Sequence, residues 1–550
     1  MLTAILFIPL GMALLGCLLP NRLSGWWAFG GSLVSVGFAI ALVAGFDSAS
    51  GELQHYVSES WIPDLGVSYQ LGVDGLSLFL ILLTSVLWSA AILWSAMQVP
   101  DRARNYFLML GIAQTGTLGA FMAQDLLLFV LFFDLMLIPF YFLVGVWGDG
   151  PDRVAATIKM IIFTLVGSLL MLAAAIATAV LSADAAGGLT FSLETLRSVP
   201  LADGSQYWIF CFFALAFLVK MPAFLVHGWM PDAYRACPLP VLALLGGVLS
   251  KVAAYGFLRV ALPLFPDAAV HFQTLILIVA LGSILYGSVM AFTQTNVRLI
   301  AGYSSMAQMG FITLGIFSLV SDGGDGAVIQ MVNHGLVVAP VFFIIALIAA
   351  RTGTEDIREM GGMAMRAPIL AILFVIVTMA LLAIPGSANF VGEFYILAGV
   401  FHSKVAISLI ASSGIAFAAF YALRMYQRIM HNRLPEGMES REITLREAVV
   451  VVPLVLCIIG LALYPGLITT RGAASVDRSL AALCEADACP DSTAPESEDP
   501  GSPGESEDPA SEGLAERRFG PSWTAYAPIP ASPSAPASPG TPSSPSEDAQ

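Results

Sequence analysis

The sequence has little charge. Only 11% of its 550 residues are Asp, Glu, Lys or Arg, whereas 57% are hydrophobic and the mean hydropathy is +0.82. A water-soluble domain carries about 25% charged residues, so this composition excludes a protein whose surface lies mainly in water. Residues 471–550 hold 14 Asp and Glu and 4 Arg, a net charge of −10 out of −15 for the whole chain. No basic patch that would bind nucleic acid is present in the sequence.

Lysine and cysteine are also scarce. The chain contains four lysines, and three of them, Lys159, Lys220 and Lys251, stand within long apolar runs. The six cysteines form no CxxC motif and no other spacing typical of a metal site, and the sequence has no Gly-rich nucleotide loop. We therefore predict no metal site and no cofactor site. Cys484 and Cys489 lie in the polar C-terminal stretch, where a disulfide and two unpaired thiols are equally compatible with the sequence.

Long apolar runs dominate the chain up to residue 470. A membrane-spanning helix needs about 20 mainly apolar residues, and these runs are too long and continuous for the strands of a membrane barrel. The sequence therefore predicts an all-α polytopic membrane protein. The fourteen expected spans are residues 2–19, 25–45, 74–97, 106–123, 126–147, 154–182, 207–227, 238–262, 271–293, 299–320, 327–350, 367–398, 405–430 and 446–468.

Basic residues are distributed unequally between the two sides of these spans. The loops on one side carry fourteen arginines, whereas the other side carries chiefly Arg197, Arg259 and Lys404 and is rich in acids. Cytoplasmic loops of membrane proteins carry an excess of Lys and Arg, so we expect the arginine-rich side to face the cytoplasm. An even number of spans then places both termini on the outer side.

The composition changes after residue 470 to Pro, Ser, Glu and Asp. Such a segment cannot bury enough apolar surface to offset its conformational entropy. We therefore predict that residues 471–550 form a disordered, solvated tail that carries no chemistry.

Five charged residues lie within predicted spans: Asp134, Lys159, Lys220, Lys251 and Glu393. A charge at bilayer depth is costly and usually functional. The alternative is a set of inert ion pairs that fix helix register, and five charges in one chain favour function over that alternative. Burial and pairing with an opposite charge act in opposite directions on proton affinity. A lysine that gains and loses an acidic partner can therefore bind and release a proton.

The order of the charges predicts a polar row through the centre of the membrane. Asp134 and Lys220 are the candidate pair, and Lys251, His334 and Glu393 continue the row. The function that this row indicates is the transport of protons or other ions.

Helix-breaking residues stand beside two of the charges. Pro222 follows Lys220 by two residues, and Pro385 and Gly386 precede Glu393. Proline removes a backbone donor, and interrupted helices at matching positions of two repeats mark ion sites in transporters. We therefore predict inverted five-helix repeats, spans 4–8 and 9–13, with broken helices 7 and 12; two ordinary kinks are the alternative. The segments are then residues 1–105 (spans 1–3), 106–262 (first half), 263–430 (second half), 431–470 (span 14) and 471–550 (tail).

Polar residues follow the first break: His227, Trp229, Asp232 and Tyr234. They either continue a proton path to the cytoplasm or cap the next helix, and the sequence does not decide between the two. His227 and Lys159 are the additional candidates for the pathway. No second ligand stands at metal spacing from His227.

Several motifs occur in the order found in one family. Residues 217–259 read FLVKMPAFLVHGWMPDAYRACPLPVLALLGGVLSKVAAYGFLR and resemble the antiporter-like subunits of respiratory complex I. Further matches are LGVDGLSL (71–78), AATIKMIIFTLVGSLLML (155–172), NVRLIAGYSSMAQMGF (296–311), MVNHGLVVAPVFF (331–343) and PGSANFVGEF (385–394). The resemblance covers roughly residues 1–470. Glu393 is similar to the acid of the chain M type, the homologue of mitochondrial subunit 4, whereas chains L and N typically carry lysine there.

The resemblance implies a proton-translocating subunit of an NADH:quinone oxidoreductase in a bacterial plasma membrane. It implies Asp134 and Lys220 as the coupled pair, Lys251 as the central relay, His334 as an intervening relay and Glu393 as the terminal site. No redox cofactor is expected in this chain, because NADH, FMN, iron–sulfur clusters and quinone would be bound by other subunits. The implied partners are the lipid bilayer and the other membrane subunits of complex I, including the neighbouring antiporter-like chains.

Three positions depart from the family's pattern. Asp134 stands where the family usually has Glu, so its contact with Lys220 is expected to need a water molecule or a helix shift. Tyr234 and Gln308 occupy positions that often hold His, which leaves a divergent or regulatory paralogue as an alternative. A subunit of a multisubunit cation/proton antiporter shares the same fold and charges and is the second functional hypothesis. A membrane scaffold whose charges only pair is the third.

Overall fold

The computed structural model describes residues 1–48, 50–433 and 440–485, and most of them are helical. The helices are Leu2–Gly16, Asn21–Ala44, Gly75–Gln98, Ala103–Met122, Leu126–Leu135, Leu137–Trp147, Arg153–Ser182, Leu193–Arg197, Asp203–Lys220, Met230–Ala236, Leu239–Leu264, Pro266–Thr293, Val297–Ile316, Ser321–Thr352, Pro368–Leu381, Ala388–Ser403, Val405–Met430, Leu445–Leu463 and Gly466–Glu485. Short 3₁₀ turns lie at Pro63–Leu65 and Met363–Met365.

Ten helices in the described ranges are long and apolar enough to cross a membrane. Two shorter apolar helices, Leu2–Gly16 and Pro368–Leu381, add to them. Each of the fourteen predicted spans overlaps at least one helix, because long apolar runs in a membrane must satisfy their backbone hydrogen bonds internally. The chain is thus a mostly helical polytopic membrane protein, while the total of fourteen spans and the two repeats stay predictions.

A β-hairpin departs from the all-α prediction. The strands Gln54–Ile62 and Val67–Val73 pair antiparallel in the segment between the second and third predicted spans. Gly66 closes the turn with a φ of 66°, in the left-handed region that favours glycine. The second strand is buried at Val67, Leu71 and Val73, so the hairpin lies against the helices.

The helices form a buried inner group and a partly exposed outer group. The inner group comprises Gly75–Gln98, Leu239–Leu264, Val297–Ile316 and Ser321–Thr352. The outer helices expose large apolar side chains, as Ile162, Leu165 and Leu169 show on one of them. Apolar exposure of this kind suits contact with lipid. Lys251, in the middle of one of these inner helices, is therefore separated by protein from both lipid and water.

The helix Leu239–Leu264, which we call the central helix, is not a regular α-helix. Two π-helical turns, Leu245–Leu249 and Phe257–Ala261, flank the α-helical segment that carries Lys251. Single π-turns within α-helices occur frequently at functional sites.

The central helix crosses its neighbour at two glycines. A Cβ atom built on Gly335 of the helix Ser321–Thr352 would lie 2.5 Å from the carbonyl oxygen of Gly247. Small residues at such crossings allow the backbones of membrane helices to approach closely. The crossing fixes the central helix against the helix that carries His334.

The helix Gly466–Glu485 corrects the predicted start of the tail. Residues 471–485 are helical rather than disordered, because apolar side chains at helical spacing, among them Ile468, Val476 and Leu483, are buried against the membrane helices. Ser475 Oγ also accepts a hydrogen bond from the Gly75 amide at 2.9 Å. The rest of the predicted tail, with Cys489 and the side chain of Cys484, lies outside the described residues.

Candidate functional site

The helix Asp203–Lys220 ends at the predicted break. Helix resumes only at Met230, and Pro222 supplies no amide donor in the intervening segment. The indole nitrogen of Trp229 donates to the carbonyl of Val219 at 2.9 Å, so a carbonyl near the broken end is bonded by a side chain. Lys220 is the last residue of its helix, where the negative end of the helix dipole stabilises a cation.

Lys220 does not contact Asp134 directly. Its Nζ donates to the carbonyl of Phe133 at 2.8 Å and lies 4.0 Å from the centre of the Phe133 ring. Asp134 instead accepts a short hydrogen bond from Ser168 Oγ. The two charges are still close enough to interact electrostatically. The hydrogen-bond partner of the aspartate is thus Ser168 rather than Lys220.

Lys251 is completely buried in the central helix. Its Nζ donates to the carbonyl of Gly246 at 2.6 Å, five residues earlier in the chain and within the first π-helical turn. In the part of the chain that the structure describes, no carboxylate forms an ion pair with it. A fixed charge is costly at such a site, which suits a residue that takes up and releases a proton.

His334 is also completely buried. Neither ring nitrogen has a hydrogen-bond partner among the described residues, and the ring is close enough to Lys251 for their charges to interact. The adjacent Asn333 donates to the carbonyl of Ala388 at 2.7 Å. Buried polar groups that lack protein partners are usually bonded to water. His334 therefore lies near the central lysine, and its neighbour Asn333 contacts the first residue of the helix that follows the second break.

The second predicted break is also present. Residues 382–387 are not helical, and Gly386 has a φ of 91°, which favours glycine, directly after Pro385. Glu393 lies in the second turn of the helix that follows and is 3% exposed. The charge thus follows the break here, whereas Lys220 precedes the break in the first half. The order of charge and break along the chain therefore differs between the two halves.

A chain of two amides holds Glu393. Gln308 Nε2 donates to Glu393 Oε1 at 2.7 Å, and Gln330 Nε2 donates to Gln308 Oε1 at 2.7 Å. The three side chains come from three different helices. Gly392 allows this approach, since a Cβ atom there would lie 2.4 Å from Gln330 Oε1. Gln308, which departs from the family's pattern, is thus the direct partner of the buried acid.

Lys159 is not one of the buried charges. Its side chain is 44% exposed and forms an ion pair of 2.7 Å with Asp232, whose side chain is 45% exposed. The prediction of bilayer depth is wrong because Lys159 stands in the second turn of the helix Arg153–Ser182, next to the polar loops. The pair lines a cavity of about 750 Å³ together with other charged residues: Asp149, Asp152, Arg153, Arg235, Arg298 and Glu355.

A small cavity lies between this opening and Lys220. It measures about 20 Å³ and is lined by Lys220, Trp229 and Thr164 together with apolar side chains. A volume of roughly 15 Å³ or more accommodates a water molecule. Thr164 stands five residues after Lys159 on the same helix, so this helix contributes to both the charged opening and the small, mainly apolar cavity beside Lys220.

The residues after the first break have separate surroundings. His227 lies against aromatic rings, with its ring centre 5.0 Å from that of Tyr286 and 6.4 Å from that of Tyr303. Tyr234 is buried and packs against Gly302. The helix Met230–Ala236 has no side-chain cap. Asp232 is therefore a partner of Lys159 rather than a cap of this helix.

Asp74 and Arg259 form a buried ion pair at the opposite end of the central helix. Their side chains are 5% and 3% exposed, and Arg259 also donates to the hydroxyl of Tyr255 at 3.0 Å. Arg197 donates to the Arg259 carbonyl at 2.8 Å. Burial and the neighbouring Arg259 charge lower the pKa of Arg197 to about 10. These three residues leave an excess of positive charge at this end of the helix.

Several of these contacts were not predicted from the sequence. The sequence does not single out Ser168 or Gln330, because no sequence signal distinguishes a hydroxyl or amide that reaches a carboxylate from one that bonds to its own helix. Asp74 and Arg259 gave a clearer signal, because each is a charge at the end of a predicted span.

Comparison with known proteins bears on the whole arrangement. A family model described as NADH:quinone oxidoreductase/Mrp antiporter, transmembrane, matches residues 123–418, which include the row from Asp134 to Glu393. NADH-quinone oxidoreductase subunit M of Rhodobacter capsulatus is 35% identical over 491 residues, which cover 85% of this chain and 94% of that protein. The chain belongs to the subunit M family. Its Escherichia coli member is 37% identical over 412 residues, covering 74% of this chain and 81% of that protein.

Solved structures share the fold of this subunit M family chain. A chain of respiratory complex I from Thermus thermophilus, determined with bound NADH, superposes with a TM-score of 0.80 at 29% identity and covers 88% of this chain and 100% of that one. A chain of the Mrp complex from Dietzia superposes with a TM-score of 0.79 at 20% identity, covering 88% and 98%. At that identity the second match shows the fold alone.

Proposed function

We propose that this chain is a proton-translocating membrane subunit of NADH-quinone oxidoreductase, driven by electron transfer elsewhere in the complex. One observation carries the proposal: Lys220, Lys251, His334 and Glu393 are buried, and none of them forms an ion pair with a described residue. Charges that only stabilise a scaffold would be paired, because an unpaired buried charge is destabilising. Residues that exchange protons need to be free of a permanent ion pair, because a fixed opposite charge would hold them in one protonation state.

The proposed path starts at the charged opening around Lys159 and Asp232. The proton passes the small cavity beside Thr164 to Lys220, whose charge interacts with that of Asp134. It then moves to Lys251, crosses to His334 and reaches Glu393. The arginines of the charged opening support its assignment to the cytoplasmic side. Water molecules bonded to the two ring nitrogens of His334, which have no protein partner among the described residues, would carry the proton to and from this side chain.

The proposal assigns all redox chemistry to other subunits. NADH, FMN, iron–sulfur clusters and quinone are bound there, and this chain contributes membrane passage only. Its partners are lipid and the neighbouring membrane subunits, to which the exposed apolar faces of the outer helices are suited. The proposed location is the plasma membrane of a bacterium, with fourteen spans in two inverted halves and both termini outside.

The test is NADH-driven proton uptake by the purified complex in lipid vesicles, measured with a pH-sensitive dye alongside NADH oxidation. Lys220→Ala is expected to reduce proton uptake strongly. Lys404→Ala is the matched control, because Lys404 is exposed at the end of a helix, and its uptake is expected to equal that of the unmodified complex. Normal uptake by Lys220→Ala would remove Lys220 from the pathway.

Purification decides between this function and a multisubunit cation/proton antiporter. The chain is expected to purify in an assembly that oxidises NADH with quinone as acceptor. Purification without such activity, together with sodium-dependent proton movement in vesicles that receive no NADH, would establish the antiporter instead.

A further inference from the structure

Asp134 is held by a residue that does not belong to the proposed row. Ser168, on the helix Arg153–Ser182, donates to Asp134 Oδ1. Lys220 is bonded to the carbonyl of Phe133, one residue before Asp134. Two separate hydrogen bonds thus keep the carboxylate and the ammonium group apart although they are near neighbours.

The hydroxyl of Ser168 differs from those of the threonines on its helix. Thr157, Thr164 and Thr178 each donate to a carbonyl four residues earlier in the same helix, at 2.7 to 2.8 Å. That local bond is the usual arrangement for a hydroxyl in a helix. Ser168 is 1% exposed and donates to Asp134 on another helix instead. Its hydroxyl therefore has a specific long-range partner.

The charged surroundings of the pair are simple. Among the described residues, the electrostatic partner of Asp134 is Lys220, and that of Lys220 is Asp134. A move of Asp134 from Ser168 to Lys220 would therefore change the electrostatic environment of the lysine.

We propose that Ser168 is a positioning residue that holds Asp134 away from Lys220 in one of two alternating states. This inference rests on the proposed proton-translocating function. With Asp134 bonded to Ser168, Lys220 has only a carbonyl and an aromatic ring as partners, so its buried ammonium group is less stabilised and releases its proton more readily. With Asp134 moved to Lys220, the carboxylate stabilises the ammonium group, which keeps its proton.

Ser168→Ala is the first test. A hydrogen bond to a charged group shifts an equilibrium by roughly tenfold or more, so its loss is expected to favour the Asp134–Lys220 pair by about that factor. NADH-driven proton uptake should fall several-fold. Ser168→Thr retains the hydroxyl and should restore uptake. Thr178→Val is the matched control, because it removes a buried hydroxyl that bonds only to a carbonyl of its own helix. Proton uptake by the complex that carries Thr178→Val should equal that of the unmodified complex.

A double variant separates positioning from a general structural effect. If Ser168 acts through Asp134, Ser168→Ala should cause little further loss in a complex that already carries Asp134→Asn. Infrared difference spectra should show that Ser168→Ala shifts a carboxylate band which is missing in Asp134→Asn. An equal loss in both backgrounds, or an unchanged carboxylate band, would overturn the proposal.

The remaining outcomes distinguish this proposal from the proposed function. Normal uptake by Ser168→Ala together with impaired uptake by Asp134→Asn would overturn the role of Ser168 and leave the function intact. Normal uptake by Asp134→Asn would remove Asp134 from the pathway and would overturn the role of Ser168 with it.

Discussion

Replacing Arg298 by methionine tests how the ends of several helices are joined at the charged opening. The guanidinium group donates to Asp149 at 2.9 Å, to Glu355 at 2.6 Å, and to the carbonyls of Cys237 and Arg235 at 2.7 and 3.2 Å. Asp149, Cys237 and Glu355 lie in loops, and Arg235 lies in the last turn of the helix Met230–Ala236. Methionine has a similar length but no donor, so all four bonds are lost at once.

The magnitude follows from the exposure of the acceptors. The side chain of Asp149 is 62% exposed and becomes solvated after the change. Loss of the Arg298–Asp149 ion pair therefore contributes little to the decrease in the free energy of unfolding. Glu355 is 23% exposed, and the Cys237 carbonyl is bonded in a buried contact. One bond to a partly shielded acid and one to a buried carbonyl together contribute about 2–4 kcal/mol. For a chain of 550 residues, whose unfolding entropy is on the order of 1.2 kcal/mol/K, this corresponds to a melting temperature roughly 2–4 °C lower.

The assay is the fraction of purified complex that stays intact after heating, measured by size-exclusion chromatography. Arg298→Lys keeps the positive charge but not the planar guanidinium group. Its melting temperature should lie between those of the unmodified complex and Arg298→Met. Arg358→Met is the control, because the Arg358 side chain is 70% exposed and pairs with Asp356 two residues away, so no change is expected. A melting temperature for Arg298→Met equal to that of the unmodified complex would refute the reasoning.

Three further predictions concern the buried contacts. Asp74→Asn and Arg259→Gln each break a buried ion pair and should cost about 3–5 kcal/mol, whereas the double variant should melt at a higher temperature than either. Gly335→Ala inserts a Cβ atom against the central helix and should lower the temperature of thermal inactivation, since overpacking costs about 1–3 kcal/mol. Gln308→Leu removes the hydrogen bond to Glu393 and should reduce proton uptake in vesicles, while Gln308→His keeps a donor and should retain it.

The membrane helices could be predicted from the sequence because their physical cause is local. Apolar runs of about 20 residues and the missing amide of a proline act within one segment, so each predicted span overlaps a helix and the breaks near Pro222 and Pro385 are present. The β-hairpin was missed because its strands, Gln54–Ile62 and Val67–Val73, are short and lie between much stronger apolar signals. The helix at residues 471–485 was missed because the prediction averaged it with the polar stretch that follows.

The residues of the candidate site were easier to predict than their contacts. A charge in an apolar run is conspicuous, which identified Lys220, Lys251 and Glu393. The partner of each depends on which helices pack together and on how far each side chain reaches. The sequence therefore paired Asp134 with Lys220 and could not show that Ser168 bonds to the aspartate instead.

The two π-helical turns of the central helix have a mechanical consequence. Each π-helical turn holds about one residue more than an α-helical turn. Lys251 therefore lies on a short α-helical segment with a wider turn at each end. If one wide turn tightens while the other widens, the segment rotates about its own axis and its two ends stay where they are. Such a rotation would turn Lys251 about the helix axis without a shift of the helix as a whole.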